Sequence, residues 1–362
     1  MGAARMVRQW VASVNVLLGS LHGHTLKALA LFSLAVCRCG HCQSGRLAAC
    51  VVSGALLASS RRRWERLLAN PRWDGSAALA ELSRAVVAPW EGRRLLLVLD
   101  ETPGRGDLRS MRVGVCYRKR LLTLAAEVYP KDEPPRRMPA LIGRMLRDVA
   151  ALLPAGASVT LLCDRGLAWP SVLDQARRLG WDHVLRLQGQ TRVRLPGGRE
   201  VAARELVRRR GGRWHGPARV FKKAGWREAM VSVVWDKRSG EPWVLAARPE
   251  GRRGLRAAEA YAKRAWCEQA FRDEKSGGFR WDASLLADPA RLLKLIVVMT
   301  LATLLSLSLG TWLVKCGRRG ELDPRRTRRL SLFSLGLRWL CHLWSFPKDC
   351  TVPSHLPYLH PT

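Results

Sequence analysis

The sequence predicts an α/β protein with a mixed sheet, a helical region before it and a β-rich stretch within it. Two short, continuous apolar runs, Leu95–Leu99 and Val159–Cys163, are typical of strands buried on both faces of a sheet. Apolar residues spaced three or four apart indicate helices over residues 1–90. Several short strand patterns, separated by glycine-rich and basic turns, follow over residues 190–250.

The charge of the chain indicates a polyanionic partner. Its 362 residues include 62 lysines and arginines against 29 aspartates and glutamates, a formal net charge of +33. An excess of this size favours nucleic acid as the partner, with an anionic membrane surface as the alternative. The ten cysteines are scattered through a chain of ordinary composition, so we expect reduced thiols in a cytosolic protein.

Residues 1–90 are predicted to form a helical N-terminal domain. Helical periodicity covers Val7–Leu21, Thr25–Val36 and Ser44–Leu68, and the third segment carries several arginines. Such a domain could bind DNA ends, or it could cap the core and expose a solvated basic face. The cysteines of Cys37–Cys42 could bind zinc, but their spacing and the flanking helical patterns favour a helix–turn junction.

Residues 91–189 contain two aspartates that directly follow the buried-strand patterns, Asp100 and Asp164. Strands of this kind would bring both acids to one edge of the sheet, where sites form in α/β sheets. Either aspartate alone could be a turn residue or a helix cap. The other elements predicted here are a hairpin, two helices and a strand, at Val113–Tyr117 with Leu121–Val128, Pro139–Leu153, Ser171–Leu179 and His183–Leu187.

Residues 190–250 are predicted to be a β-rich insertion. The strand patterns lie at Thr191–Leu195, Arg219–Phe221, Ala229–Trp235 and Trp243–Ala247. The stretch carries four tryptophans that we expect in the core of the insertion: Trp214, Trp226, Trp235 and Trp243. Stacking of at least one of them on an unpaired base is the alternative.

The segment Tyr261–Lys275 contains a spaced set of polar residues, which are Tyr261, Arg264, Glu268 and Lys275. On one continuous helix, at about 100° per residue, they would share an arc of roughly 60°. A carboxylate with cations on both sides suits a metal ion beside a phosphate chain. The alternative is a solvated helix face on which Arg264 and Glu268 form an i,i+4 ion pair. The opposite side, expected to pack on a core, carries Ala262, Trp266 and Ala270.

Residues 251–317 continue the core, and they include a long apolar run. Leu295–Val314 contains twenty residues without a charge, which is long enough to span a bilayer. A helix buried against the sheet needs the same hydrophobicity, and arginines on both sides leave no orientation signal. We therefore expect a buried helix. Residues 318–362 are expected to form a basic, then proline-rich tail that is loosely ordered at its end.

Asp100, Asp164 and Glu268 are the candidate catalytic residues. Three carboxylates gathered in one place repel one another and require a compensating cation. Oxygen ligands and a phosphate partner favour Mg²⁺ or Mn²⁺. Two such ions can activate a water or 3′-hydroxyl on one side of a phosphorus and stabilise the leaving oxygen on the other. The predicted chemistry is therefore phosphodiester cleavage and transfer.

These residues carry a family resemblance. The matching pieces are LLLVLDET around Asp100, LLCDRG around Asp164, the LGWDHVLRLQG stretch after it, and the full Y-x2-R-x3-E-x6-K pattern. With them the chain resembles bacterial insertion-sequence transposases of the DDE type, in the group with a Tyr-Arg-Glu-Lys signature. The resemblance covers about residues 94–310. It implies a ribonuclease H-like core built from residues 91–189 and 251–317, with residues 190–250 inserted before the glutamate.

The resemblance also implies roles and partners. It assigns metal binding, with two Mg²⁺ or Mn²⁺ ions, to Asp100, Asp164 and Glu268, and a grip on the DNA strand to Tyr261, Arg264 and Lys275. The implied partners are double-stranded DNA with terminal inverted repeats, target DNA, and a second copy in a homodimeric complex, with no membrane. The implied location is the cytoplasm, at the nucleoid. Two other functions stay open, an inactive transposase-derived DNA-binding protein and a membrane-anchored basic protein.

Overall fold

The computed structural model describes residues 2–52, 54–250, 254–324, 326, 328–345, 353 and 356–357. The helices are α1 Gly2–Leu17, α2 Gly23–Cys39, α3 Ser44–Cys50, α4 Leu57–Ala69, α5 Gly75–Val87, α6 Met138–Ala150, α7 Pro170–Arg178, α8 Leu255–Ala262, α9 Ala265–Arg272, α10 Pro289–Lys315 and α11 Leu332–Ser345. The strands are β1 Arg94–Pro103, β2 Leu108–Tyr117, β3 Arg120–Pro130, β4 Ser158–Cys163, β5 Asp182–Leu187, β6 Arg192–Arg194, β7 Glu200–Ala202, β8 Arg213–Val220, β9 Arg227–Val234 and β10 Trp243–Ala247.

The N-terminal region is helical, as predicted. Helix α2 ends at Gly40, whose left-handed φ of 62° lets its N–H reach the carbonyl of Val36. The helix–turn junction predicted at Cys37–Cys42 is therefore confirmed. The single helix predicted for Ser44–Leu68 is wrong, because the chain is extended at Val51 between α3 and α4. A β-branched residue at this point favours extended backbone over helix.

The sheet is mixed, which confirms the predicted α/β class. Its strand order is β3-β2-β1-β4-β5-β10-β9-β8-β6-β7. Strands β1, β4 and β5 are parallel neighbours, whereas β2 and β3 form the predicted antiparallel hairpin beside β1. The strands of residues 190–250 extend this same sheet, since β10 pairs antiparallel with β5 from Val244↔Leu187 to Ala247↔Val184.

The alternation of side chains divides the sheet into two faces. On one face Val98, Leu162 and Val184 pack with the buried residues of α8 and α9. The opposite face belongs to the large core that includes α5 and α10. Because residues two apart along a strand share a face, Asp100 and Asp164 lie on the side of α8 and α9.

Helix α10 is the buried helix predicted for Leu295–Val314. It packs against α2, α5, α11 and β3, and 94% of its most apolar 18-residue window is buried. Its length and composition would also allow it to cross a membrane. In this structure, however, other parts of the protein cover the apolar surface of the helix.

The tail predicted from residue 318 contains a helix that the sequence reading missed. In α11 the side chains of Leu335, Trp339 and Leu340 are fully buried, at helical spacing, against α10. The basic stretch before α11 hid this apolar pattern. The loosely ordered end was predicted for residues that, apart from 353, 356 and 357, lie outside the described residues after 345.

Helices α10 and α11 approach so closely that each needs a glycine at the contact. A Cβ at Gly310 would lie 1.8 Å from the carbonyl oxygen of Leu332, and one at Gly336 would lie 1.8 Å from that of Ser306. The opposing atoms are backbone atoms, so no rotamer change could make room. Backbone contact across both glycines therefore sets the distance between the helices.

We expect Gly336→Ala to destabilise the protein by about 1–3 kcal/mol or more, because the helices must separate to admit the methyl group. Urea unfolding measures the change. The matched control is Gly45→Ala in α3, where nothing lies within 4 Å of the added Cβ. That control should be neutral or stabilising by up to about 1 kcal/mol. Equal stability of the two variants would contradict the close helix contact.

Candidate active site

Asp100 and Asp164 lie side by side at one edge of the parallel strands. The pairing of β1 with β4 ends at Leu99↔Cys163, and these two aspartates are the next residues of each strand. Asp100 does not end its strand as expected, because β1 continues to Pro103 by pairing with β2 alone. The two acids are nevertheless brought to the predicted edge.

Each aspartate has one oxygen engaged by backbone N–H groups. Oδ1 of Asp100 accepts a hydrogen bond from the N–H of Glu101 at 2.9 Å. Oδ1 of Asp164 accepts one from Gly166 at 2.8 Å and one from Leu167 at 3.3 Å. Asp164 therefore acts as a turn residue, the alternative considered from the sequence. These turn bonds involve Oδ1 and not Oδ2.

The carboxyl group of Asp100 is buried, with 8% of the residue exposed. Burial raises its pKa to about 6, and the nearby charge of Asp164 adds to the rise. The guanidinium of Arg264 opposes both effects. A positive charge is therefore the main influence that keeps this carboxyl group ionised near neutral pH.

Tyr261, Arg264, Glu268 and Lys275 do not lie on one continuous helix. The chain tightens between α8 and α9, where Lys263 and Arg264 donate to the carbonyls of Ala260 and Tyr261 at 3.1 and 2.8 Å. These i→i−3 bonds belong to a tighter turn than the α-helix, so the predicted common stripe is wrong. On the expected packing side, Ala262 is exposed and Trp266 half-buried, and Ala270 is buried.

Arg264 joins the strand acid to the helix acid. Its Nη1 lies 2.7 Å from Oδ2 of Asp100, and its Nη2 forms an ion pair with Oε1 of Glu268. The Arg264 side chain is 14% exposed, whereas that of Glu268 is 56% exposed. The i,i+4 ion pair considered as the alternative is present, and the same arginine also contacts Asp100.

Tyr261 points into the sheet rather than to solvent. Its ring packs edge-on against Trp243, with 5.1 Å between ring centroids, and the residue is 3% exposed. Burial raises the pKa of Tyr261, and the positive charges of Arg264 and Arg186 oppose the rise. Trp243, which we expected in the core of the insertion, thus packs against Tyr261, three residues before Arg264.

The other three tryptophans of residues 190–250 are half-buried. Arg194 lies over the Trp226 ring at 4.5 Å, and the Trp235 indole donates to the carbonyl of Ser239 at 3.1 Å. Base stacking stays a prediction for these residues.

Lys275 lies in the π-helical turn 273–277 that follows α9. It is half-buried, and burial together with Arg112 lowers its pKa, while Glu274 and Asp282 oppose the change. Its charged neighbours thus differ from those of Arg264. The structure brings Asp100, Asp164, Arg264 and Glu268 together and places Lys275 beside a second set of charges.

That second set is an ion pair that sequence reasoning missed. Nη1 of Arg112 on β2 lies 2.8 and 2.7 Å from the two carboxylate oxygens of Glu274. The Arg112 side chain is fully buried between the rings of Phe271 and Trp281, at 5.2 and 5.4 Å. An arginine inside an apolar strand was the available signal, because such a charge needs a buried partner.

A second buried ion pair is formed by the preceding residue of the same turn, Asp273. Arg120 at the start of β3 pairs with Asp273, and its Nη2 donates to Oγ of Ser331 at 3.0 Å. Together the two arginines tie the turn after α9 to the β2–β3 hairpin. They therefore hold the helix that carries Glu268 against the sheet.

The site contains carboxylate oxygens, which are the type of ligand that a hard divalent ion binds. Carboxylates such as those of Asp100, Asp164 and Glu268 are the ligands that Mg²⁺ and Mn²⁺ prefer. Over the described ranges, however, no three His, Cys, Asp or Glu side chains are arranged to hold a metal ion, and this includes the Cys37–Cys42 turn. Beside the two aspartates, the guanidinium of Arg264 forms ion pairs with Asp100 and Glu268, the acids that an ion would also contact.

The chain matches a known protein family. A family model described as "Transposase DDE domain" matches residues 108–305, more than half of the chain. The chain belongs to this family of transposases. The match includes Asp164, Arg264 and Glu268 and begins after Asp100. No curated protein matches the chain.

We expect the transposase to lose stability as the pH rises from about 4 to about 6, through its Asp100 carboxyl. The folded pKa of about 6 lies above the unfolded value near 3.8, so over this range the folded state binds the additional proton. The difference could reach about 3 kcal/mol. Urea unfolding of wild type and Asp100→Asn across this range measures it. Identical pH profiles for the two proteins would contradict the raised pKa.

Proposed function

We propose that this transposase cuts and joins DNA at the ends of a mobile element of the insertion-sequence type. The observation that carries the proposal is the position of Asp100 and Asp164, each directly after the last pair of β1 with β4, with Glu268 tied to that edge through Arg264. The β1–β5 part of the mixed sheet supports a ribonuclease H-like core, and the order of strand acid, strand acid and helix acid supports the Tyr-Arg-Glu-Lys group.

Asp100, Asp164 and Glu268 would hold the divalent ions, two Mg²⁺ or Mn²⁺ in our proposal. Bound ions would supply an activated water or 3′-hydroxyl and a charge that stabilises the leaving oxygen. The protein contributes position: β1 and β4 fix the two aspartates, and the pair of buried arginine contacts fixes α9. Asp100 is buried, and the effective dielectric constant is lower inside the protein than in water. Electrostatic interactions at the site are therefore stronger than they would be at the surface.

Arg264 and Lys275 would contact the DNA strand near the cut, whereas Tyr261, expected to share that role, is buried against Trp243 and would support the site from within. The net charge of +33 supports double-stranded DNA as the partner, both the terminal inverted repeats and the target. We propose that the N-terminal helices of residues 1–90 contribute to recognition of the ends, and that two copies act together as a homodimer. The corresponding location is the cytoplasm, at the nucleoid.

We expect Glu268→Gln to abolish cleavage while leaving binding to the DNA ends nearly intact. The change keeps the shape of the side chain and removes the charge that would hold the ion. The substrate is a plasmid that carries the gene with its natural flanking DNA, incubated with Mg²⁺ or Mn²⁺ and with excess chelator. Gel analysis measures cleavage, and fluorescence anisotropy with labelled end fragments measures binding.

The matched control is Glu259→Gln, an exposed glutamate on α8. This variant should cleave like the wild type. Cleavage by Glu268→Gln, or by the wild type in excess chelator, would refute the proposed chemistry. Binding without cleavage by the wild type itself would instead indicate an inactive DNA-binding relative.

We expect Lys275→Ala to weaken DNA binding, because a phosphate loses its cationic partner. The slope of log affinity against log salt should fall by about 0.9 for one fully neutralised phosphate. Anisotropy titrations at several salt concentrations measure the slope. If the slope and the cleavage rate both stay at wild-type values, Lys275 interacts only with the buried charges of Arg112 and Glu274.

A further inference from the structure

We propose that Arg264 occupies the position between Asp100 and Glu268 that a divalent ion would take, and that it must release Asp100 when the ion binds. The inference rests on the proposed function, since it concerns the ion that the three acids would hold. It makes Arg264 a built-in competitor of the metal, and it couples metal binding to DNA binding.

The hydrogen bonds of Asp100 identify the contested atom. The N–H of Glu101 holds Oδ1 at 2.9 Å, which leaves Oδ2 as the oxygen that faces away from the backbone bond. Nη1 of Arg264 lies 2.7 Å from that Oδ2. Both oxygens of the buried carboxylate are therefore already engaged by partners within the protein.

The second arm of the same guanidinium engages Glu268. Arg264 thus stands between the strand acid and the helix acid, and its side chain is 14% exposed. A divalent ion shared by Asp100 and Glu268 would compete with Arg264 for Oδ2 of Asp100 and displace the guanidinium from between the two acids. The ion binds carboxylate oxygen at about 2.0–2.1 Å for Mg²⁺, which leaves no room for a guanidinium on the same lone pairs.

The competition cannot be relieved by loss of a proton, because a guanidinium stays charged throughout the accessible pH range. The arginine has to move. Both of its ion pairs are made by the guanidinium alone, so rotation about the side-chain torsions would release Asp100 without a change in the backbone.

A released guanidinium needs a new anionic partner, and a DNA phosphate at the site would supply it with paired hydrogen bonds. Phosphate would draw Arg264 away from Asp100 and so favour the ion. By thermodynamic reciprocity the ion would favour the phosphate by the same factor. The free protein would then bind metal weakly, and the DNA complex would bind it tightly.

The test measures Mn²⁺ affinity without any reaction, by titration calorimetry of the full chain. We expect Arg264→Met to bind Mn²⁺ about tenfold more tightly than the wild type, because the internal competitor is gone. Mn²⁺ should also raise the melting temperature of this variant more than that of the wild type, since the ion replaces the missing charge beside Asp100. Arg264→Gln, also neutral, should behave alike and serves if the methionine variant does not fold.

The matched control is Arg186→Met. Arg186 is a neighbouring arginine on β5 whose ion pair is with Glu241, at 2.6 Å. Its Mn²⁺ affinity should equal that of the wild type. A short duplex should tighten Mn²⁺ binding to the wild type and leave that of Arg264→Met nearly unchanged.

Mn²⁺ affinity that is equal or weaker in both Arg264 variants would overturn the inference. If the wild type also binds Mn²⁺ and cleaves DNA, the proposed function survives that result. A wild type that binds no divalent ion, with or without DNA, would overturn the proposed function itself and this inference with it.

Discussion

A buried carboxylate beside a second carboxylate is the constraint on which this site depends. The parallel pairing of β1 with β4 brings Asp100 next to Asp164, and both the burial and the like charge disfavour ionisation of Asp100. A cation must therefore stand close by. That cation is Arg264, which reaches Asp100 from the tight turn between α8 and α9.

The position of Glu268 depends in turn on two ion pairs that lie beyond the site. Arg112 and Arg120 extend from the hairpin and hold Glu274 and Asp273, directly after α9. A buried ion pair contributes little net stability, but removal of one partner costs about 3–5 kcal/mol because an unpaired charge is left inside. Such pairs select one arrangement of the chain over others. Here the selected arrangement is the one in which α9 lies against β1 and β3.

The sequence correctly predicted the strands and helices whose positions depend on the local pattern of apolar residues. The apolar runs before Asp100 and Asp164 predicted neighbouring buried strands, and the charge-free run predicted the buried α10. It failed where contacts between distant segments decide the outcome. The tight turn after α8 breaks the expected stripe, and Tyr261 packs against Trp243 of β10. Helix α11 forms because its apolar side packs on α10 across reciprocal glycine contacts, which no local propensity encodes.

The excess of positive charge connects the fold to its partner. Several acids are already consumed internally, as Asp174 is by Arg227 and Glu200 is by Arg194 and Lys222. Each such pair neutralises a cation together with an acid and leaves the net charge of +33 unchanged, and this excess acts as self-repulsion in the free protein. A polyanion that binds only the folded state relieves this repulsion and stabilises the fold by mass action. DNA bound as proposed above would therefore also stabilise the folded protein.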